Sequence, residues 1–258
     1  MRLLVCIPTV TGREAYLRNA VKSYRERTPA EVVFSVVTDA PSCGVGWNRC
    51  IEQMKSQGRW FRGMPFDFIH FSNDDIVVAD GWFGPLAEAA GRDNCVPCPR
   101  IEPAGYHLKD DTSPTPPTMM PPGRLMSHHG YFYADLPENQ PTQDWQRVDH
   151  GALPFCTPQQ FAKIGPFIPI HFGTDKWFYH RAKAEGYQVV ARQFSVIYNY
   201  AAQEGRSKGD WTEQDYLDFD LVFAYPEYVA GVLAPTDEHP HRNTDYGLRL
   251  VREWSERR

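Results

Sequence analysis

Residues 2–7, RLLVCI, and 32–38, VVFSVVT, are short, β-branched and almost unbroken apolar runs, the pattern of strands covered on both faces. Between them Leu17, Ala20, Val21 and Tyr24 recur at the spacing of one buried helical stripe, and Pro29 lies just past its end. The pattern then repeats. Cys50, Ile51 and Met54 predict a helix over about 46–57, and FDFIHF at 66–71 predicts a third strand. Strand, helix, strand, helix, strand predicts an α/β domain with a parallel sheet and right-handed crossovers.

Beyond residue 96 the pattern changes. Prolines at 97, 99, 103, 114, 116, 117, 121 and 122 predict a long loop over 97–122, because proline fits neither a regular helix nor a central strand. Order returns at FCTPQQFAKIG (155–165), which predicts a short helix with Thr157 as N-cap and Pro158 in its first position. TDKWFYHRAKAEG predicts a second helix that opens at Thr174 and Asp175 and stops at Gly186. YQVVARQFSVIYNY predicts one or two strands, and DYGLRLVREWSERR predicts a closing amphipathic helix with cations in its last turn.

Composition narrows the functional classes. With 258 residues and 42% hydrophobic content the chain supports a sizeable core. A net charge of -5 and a pI near 6.0 argue against a general polyanion binder. The start, MRLLVCIPTV, lacks the pattern of a signal peptide, and no run reaches the roughly 18–20 apolar residues of a membrane span, so the expectation is a soluble, cytoplasmic protein with no membrane insertion. Cys6, Cys50 and Cys156 sit among apolar neighbours, as reduced core cysteines do. Cys95 and Cys98 have ligand-like spacing, but a second pair that would complete a zinc site is missing.

The three early strands each end in polar residues: Thr9 to Arg13, then Thr38 and Asp39, then Asn73, Asp74 and Asp75. Ligands of open α/β sheets bind at such carboxyl ends, so the three sets are expected to converge. The first turn, PTVTGRE, has neither G-x-G-x-x-G nor a Walker lysine, which removes dinucleotide-binding and P-loop readings. Adjacent acids repel one another unless a cation lies near them. Mg²⁺ or Mn²⁺ suits this role, taking one or two carboxylates and completing its shell with water and phosphate oxygens. The local alternative is that Asn73 and Asp74 cap a turn.

The longer string FSNDDIVVADGWF resembles the strand-end D-x-D-like signature of family 2 glycosyltransferases, an apolar strand followed by acids, an apolar pair and a turn into a helix. LLVCIPTVTGREAYLRNAVKSY is similar to that family's first strand, turn and helix, VVFSVVTDAPS to its second strand, and CTPQQFAKIGPFIPIHFGTDKWFYHRAKAEGYQVV to its later catalytic block. The matches run in order over about residues 2–205. The resemblance implies a GT-A-type nucleotide-diphospho-sugar transferase fold, with a mixed, mostly parallel sheet flanked by helices. It implies an inverting glycosyltransferase using a nucleotide-diphosphate sugar. Carried over, Asp39 would meet the base with Pro8 and Thr9 around it, and Asn73 and Asp74 would lie near ribose and diphosphate. Asp75 would hold Mn²⁺ or Mg²⁺, and Asp175 would be the general base.

Three positions depart from the family pattern: Asn73 begins the acidic trio, Thr174 stands where a glutamate is usual, and VIYNYAAQEGRS offers Tyr198 or Asn199 in place of a late metal-binding histidine. Further candidate contacts to diphosphate or acceptor are Arg13, His171, Thr174, Trp177, Arg206 and Lys208, with the His128-His129 pair and Trp82 and Trp145 behind them. The expected organisation is a domain over 1–209, with a nucleotide half to about 95 and an acceptor half from 96, followed by a helical extension over 210–258. The acceptor is left open among glycan, protein, metabolite and modified base. The rival readings are a non-catalytic nucleotide- or sugar-binding module of the same fold and a sugar nucleotidyltransferase.

Overall fold

The structure is a computed structural model that describes residues 1–57, 66–92, 94–103, 145–147, 152–168 and 173–199. Its first half follows the alternation in the sequence: β1 (Arg2–Thr9), α1 (Glu14–Arg27), β2 (Glu31–Thr38), α2 (Cys43–Ser56) and β3 (Phe68–Phe71). β1 pairs in parallel with both β2 and β3, so Thr9, Thr38 and Phe71 end at the same edge of the sheet. Leu3, Leu4, Val5, Cys6 and Ile7 are fully buried, which is why this strand carries no polar alternation. Helix α2 starts at Cys43, three residues before the expected 46, because Ser42 accepts the Val45 amide proton at 3.2 Å and caps it.

After β3 the polar residues 72–75 interrupt the strand, and β4 (Ile76–Val78), α3 (Phe83–Ala90) and β5 (Cys95–Pro103) follow. The later elements are β6 (Trp145–Arg147), β7 (Phe155–Cys156), α4 (Pro158–Ile164), α5 (Thr174–Ala184) and β8 (Gln188–Asn199). The architecture is the expected mixed, mostly parallel α/β one, with its described strands divided between two sheets: β2-β1-β3-β7, in which only β7 is antiparallel, and a mixed sheet in which β8 pairs with β4, β5 and β6. The break at 72–75 causes this, since β3 ends in the first sheet and β4 resumes in the second.

The expected loop over 97–122 is corrected at its start. Pro97, Pro99 and Pro103 lie in β5, whose only described partner is β8, and an edge strand accommodates residues that lack an N–H donor. Residues 104–122 lie outside the described residues, as does the predicted extension over 210–258. Helix α4 has the predicted Thr157 cap, completed by Gln160 into a reciprocal capping box, with Pro158 leading. All six cysteines are free; Cys95 and Cys98 are buried in β5 and belong to the core rather than to a metal site. Among the described residues no helix is long and apolar enough to cross a membrane.

Aromatic packing joins the halves. Phe71, Phe161, Phe167 and Phe178 form a contiguous set, with Trp47 and Trp177 against Phe167. The core therefore runs from the end of β3 across α2 to α5, beneath the polar strand ends.

Candidate active site

The first loop and the acidic trio meet directly. The Thr9 hydroxyl donates to Asp74 Oδ2 at 2.6 Å, and Arg13 Nη2 lies 2.9 Å from both Asp74 Oδ1 and Asp75 Oδ2. Asp74 and Asp75 are 5% and 7% exposed, so this is a buried acidic pair bridged by one guanidinium. Burial, then the charge of Asp75, pushes the Asp74 carboxyl up to about 6 against the opposing pull of Arg13 and Thr9. Burial works against the Arg13 charge, but Asp75 and Asp74 outweigh it and hold its pKa above the ordinary value. Asp75 Oδ1 is buried with no hydrogen-bond partner.

Asp39 follows β2 with φ +55, a left-handed conformation that aspartate tolerates better than most residues. Its amide donates to the Thr9 carbonyl at 2.9 Å, and its carboxylate accepts from the Thr11 amide (2.9 Å) and hydroxyl (2.8 Å). These two bonds, the backbone one first, hold the exposed Asp39 carboxyl below its usual range. Each carboxylate oxygen keeps a lone pair for an incoming N–H donor. Pro8 packs under Gly46 of α2, where a Cβ would come within 2.5 Å of its ring, and Thr9 holds Asp74.

The third carboxylate reaches this place from α5. Asp175 is the second residue of the helix and accepts from the Lys176 amide at 2.8 Å. Burial pushes its carboxyl up to about 6, although backbone amides of Lys176, Asp175 itself and Leu153 favour the charged form. The start of α2 touches the neighbours of both sets: Cys43 Sγ lies 3.9 Å from Asn73 Oδ1, and a Cβ on Gly44 would come within 2.8 Å of the Thr174 hydroxyl. The Cys43 thiol pKa is driven well above the ordinary value by burial and then by the charges of Asp175, Asp75 and Asp74, so the thiol feels all three carboxylates.

Thr174 and Trp177 have structural surroundings. The Thr174 hydroxyl donates to the Ile168 carbonyl at 3.2 Å, and Trp177 is fully buried against Phe167. Trp177 is therefore corrected from an acceptor contact to a core residue, and Trp82 likewise is fully buried with its Nε1–H donated to Thr28. His171, Arg206, Lys208 and the His128-His129 pair lie outside the described residues, as does the side chain of Trp145. The sequence gives Thr11 only as part of the polar turn Thr9 to Arg13 and does not single out Ser42, Cys43 and Gly44; their signal is the S-C-G run four residues past the end of β2, a helix start too small to stand out as chemistry.

Among the described residues no group of three or more His, Cys, Asp or Glu forms a ready metal cage. The donor set does fit a divalent ion that borrows most of its ligands from a diphosphate, because two adjacent carboxylates are present and one buried oxygen has no partner.

The two elevated carboxyls contribute one part of the pH dependence of stability. Their folded pKa values of about 6 exceed the unfolded 3.8, so the fold binds protons more tightly than the unfolded chain. Their stabilising contribution is complete below about 3.8 and is lost as pH rises through about 6. Buried His70, whose pKa burial pushes down to about 3, works the other way, because the unfolded chain takes up a proton near 6.5 that the fold refuses. The carboxyl contribution is therefore read as a difference: on lowering the pH from 8 to 5, the Tm of the ligand-free wild type is expected to change by roughly 2–5 °C in the stabilising direction relative to Asp175→Asn. Thermal melts of wild type and Asp175→Asn across this range check it; an equal change of Tm with pH in the two proteins would refute the assignment.

No family model matches the chain, and no curated protein matches it. Solved structures do. A crystal structure of GalNAc-T7 with UDP, GalNAc and Mn²⁺ superposes at a TM-score of 0.55 with 14% identity, covering 99% of this chain and 55% of that one. The chain thus spans about half the length of that protein. S. aureus TarS 1-349 in complex with UDP superposes at a TM-score of 0.52 with 12% identity, covering 100% of this chain and 71% of that one. At such identities the likeness is one of fold: the chain has the GT-A-like glycosyltransferase fold that its motifs resemble.

Proposed function

We propose that this chain is an inverting glycosyltransferase that moves a sugar from a nucleotide-diphosphate donor to an acceptor hydroxyl. The observation that carries the reading is that the start of α2 adjoins both Asn73, beside Asp74 and Asp75 at the end of β3, and Thr174, beside Asp175 at the start of α5, so the three carboxylates belong to one region. A carboxylate pair suits the diphosphate end of a donor, and a separate carboxylate with a pKa near 6 suits a base that works at neutral pH. The two solved relatives were crystallised with UDP, one of them with Mn²⁺ as well, which supports a nucleotide donor and a divalent ion here.

In this reading Asp39 receives an N–H of the base, and Asp74 and Asp75 would hold a divalent ion. Bound there, the ion would neutralise charge developing on the diphosphate. Asp175 takes the proton from the acceptor hydroxyl as that oxygen bonds to the anomeric carbon. The bond from that carbon to the diphosphate oxygen breaks at the same time, and its electron pair leaves with the nucleoside diphosphate. Attack opposite the leaving group inverts the anomeric centre.

Calorimetric titration with UDP, GDP, TDP and CDP, each with and without Mn²⁺, tests the donor half. The expected result is micromolar to millimolar binding of one of them, strengthened by Mn²⁺ and weakened at least tenfold by Asp39→Ala. Absence of binding to all four would reject the donor reading. Binding without any sugar transfer to a mixed acceptor library would favour the non-catalytic module.

A further inference from the structure

We propose that Arg13 is a tethered cation that closes the Asp74–Asp75 pair to a free divalent ion, so that the metal enters only with a diphosphate that draws Arg13 away. The inference rests on the donor reading above and adds an order of assembly to it. Four carboxylate oxygens are available. Asp74 Oδ2 is taken by Thr9, Asp74 Oδ1 and Asp75 Oδ2 are bridged by the single Arg13 Nη2 at 2.9 Å each, and Asp75 Oδ1 is buried and unpartnered. A free ion therefore finds one unpartnered oxygen, itself buried, and any second costs it the displacement of a guanidinium already neutralising the pair.

That guanidinium is held but not locked. Arg13 precedes α1 in the turn after β1, its amide bonded to Val10 O at 3.2 Å, and its guanidinium carbon lies 5.1 Å from the ring centre of Tyr16. Its side chain is 28% exposed, against 7% and 9% for its two partners, so the open side of the bridge is the arginine's. Its buried Nε–H has no acceptor, so the present bridge leaves a donor unused. A diphosphate changes both terms of the competition: it brings oxygens that complete the metal's shell, and it offers Arg13 an anion with bidentate geometry. A bare metal ion offers Arg13 nothing.

The test follows free Mn²⁺ by electron paramagnetic resonance in titrations of wild type, Arg13→Met and Arg13→Lys, without nucleotide and then with UDP. Without UDP, Arg13→Met is expected to bind Mn²⁺ at least tenfold more tightly than wild type. Arg13→Lys, which keeps the charge, should stay within about threefold of wild type. With UDP present, wild type should bind Mn²⁺ at least tenfold more tightly than without it, beyond what the Mn²⁺–UDP complex in buffer explains. Should Arg13→Met show no cooperative melt, Arg13→Gln takes its place. Equal Mn²⁺ affinities of wild type and the uncharged variant without nucleotide would overturn the proposal, and so would a lack of Mn²⁺ binding to every protein. A tenfold gain in Arg13→Met with no UDP binding to any protein would leave the closed pair standing and reject the donor reading instead.

Discussion

Asp175→Asn is expected to lower the turnover number for sugar transfer by about 10²–10⁴, the range for losing a general base, with the nucleotide affinity unchanged. The selectivity of that effect follows from how the residue is held. Asp175 takes its position from the start of α5 and from the Lys176 amide at 2.8 Å, and the side-chain oxygen of asparagine accepts the same bond. What asparagine lacks is the second, basic oxygen. The substitution also removes a carboxylate that burial disfavours, so above pH 7 the variant should melt no lower than wild type. Wild-type kcat/KM should rise with pH through an apparent pKa of about 6, and the residual activity of the variant should lose that limb. Steady-state kinetics over pH 5–8 with parallel melts decides it. Turnover within threefold of wild type would take Asp175 out of the chemistry, and a large drop in Tm would make the loss structural.

The parts of this site that were legible in the sequence are those set by local pattern. Short, β-branched apolar runs bounded by turn residues are the pattern of strands covered on both faces, and their alternation with a helical stripe fixes which ends share an edge, so the meeting of Thr9, Asp39 and Asp74 is legible in the pattern. Thr157 and Asp175 were legible because caps and helix-start acids act within one turn. What was not legible depends on contacts distant in sequence. Nothing local distinguishes Trp177, fully buried against Phe167, from a tryptophan that stacks on a sugar. The pairing of Arg13 with Asp74 and Asp75 crosses about sixty residues, and a lone arginine after a turn looks the same whether solvated or bridging. The three prolines of β5 read as loop because a sequence does not say whether a strand is at an edge.

Gly44→Ala is expected to destabilise the protein by roughly 2–4 kcal/mol and lower Tm by roughly 5–12 °C, a large effect for one methyl group. A Cβ at Gly44 would overlap the Ile168 carbonyl oxygen and come within 2.8 Å of the Thr174 hydroxyl. Neither obstacle is the far end of a flexible side chain: Ile168 offers backbone, and Thr174 is pinned by its own bond to that carbonyl. The segment has little room to retreat, because Asn48 clasps Phe167 from the same helix, accepting from its amide at 2.9 Å and donating to its carbonyl at 2.8 Å. Gly84, in α3, is the matched control, since a Cβ there meets nothing within 4 Å, and Gly84→Ala should leave Tm unchanged or slightly raised. A Gly44→Ala melt indistinguishable from that of Gly84→Ala would mean that α2 does not press on the start of α5. The expected loss has a consequence for the chemistry, because the clash pushes on Thr174, the residue before Asp175. If the distance between the base and the Asp74–Asp75 pair sets the rate, the folded fraction of Gly44→Ala should show kcat lowered at least tenfold at 20 °C while nucleotide binding persists.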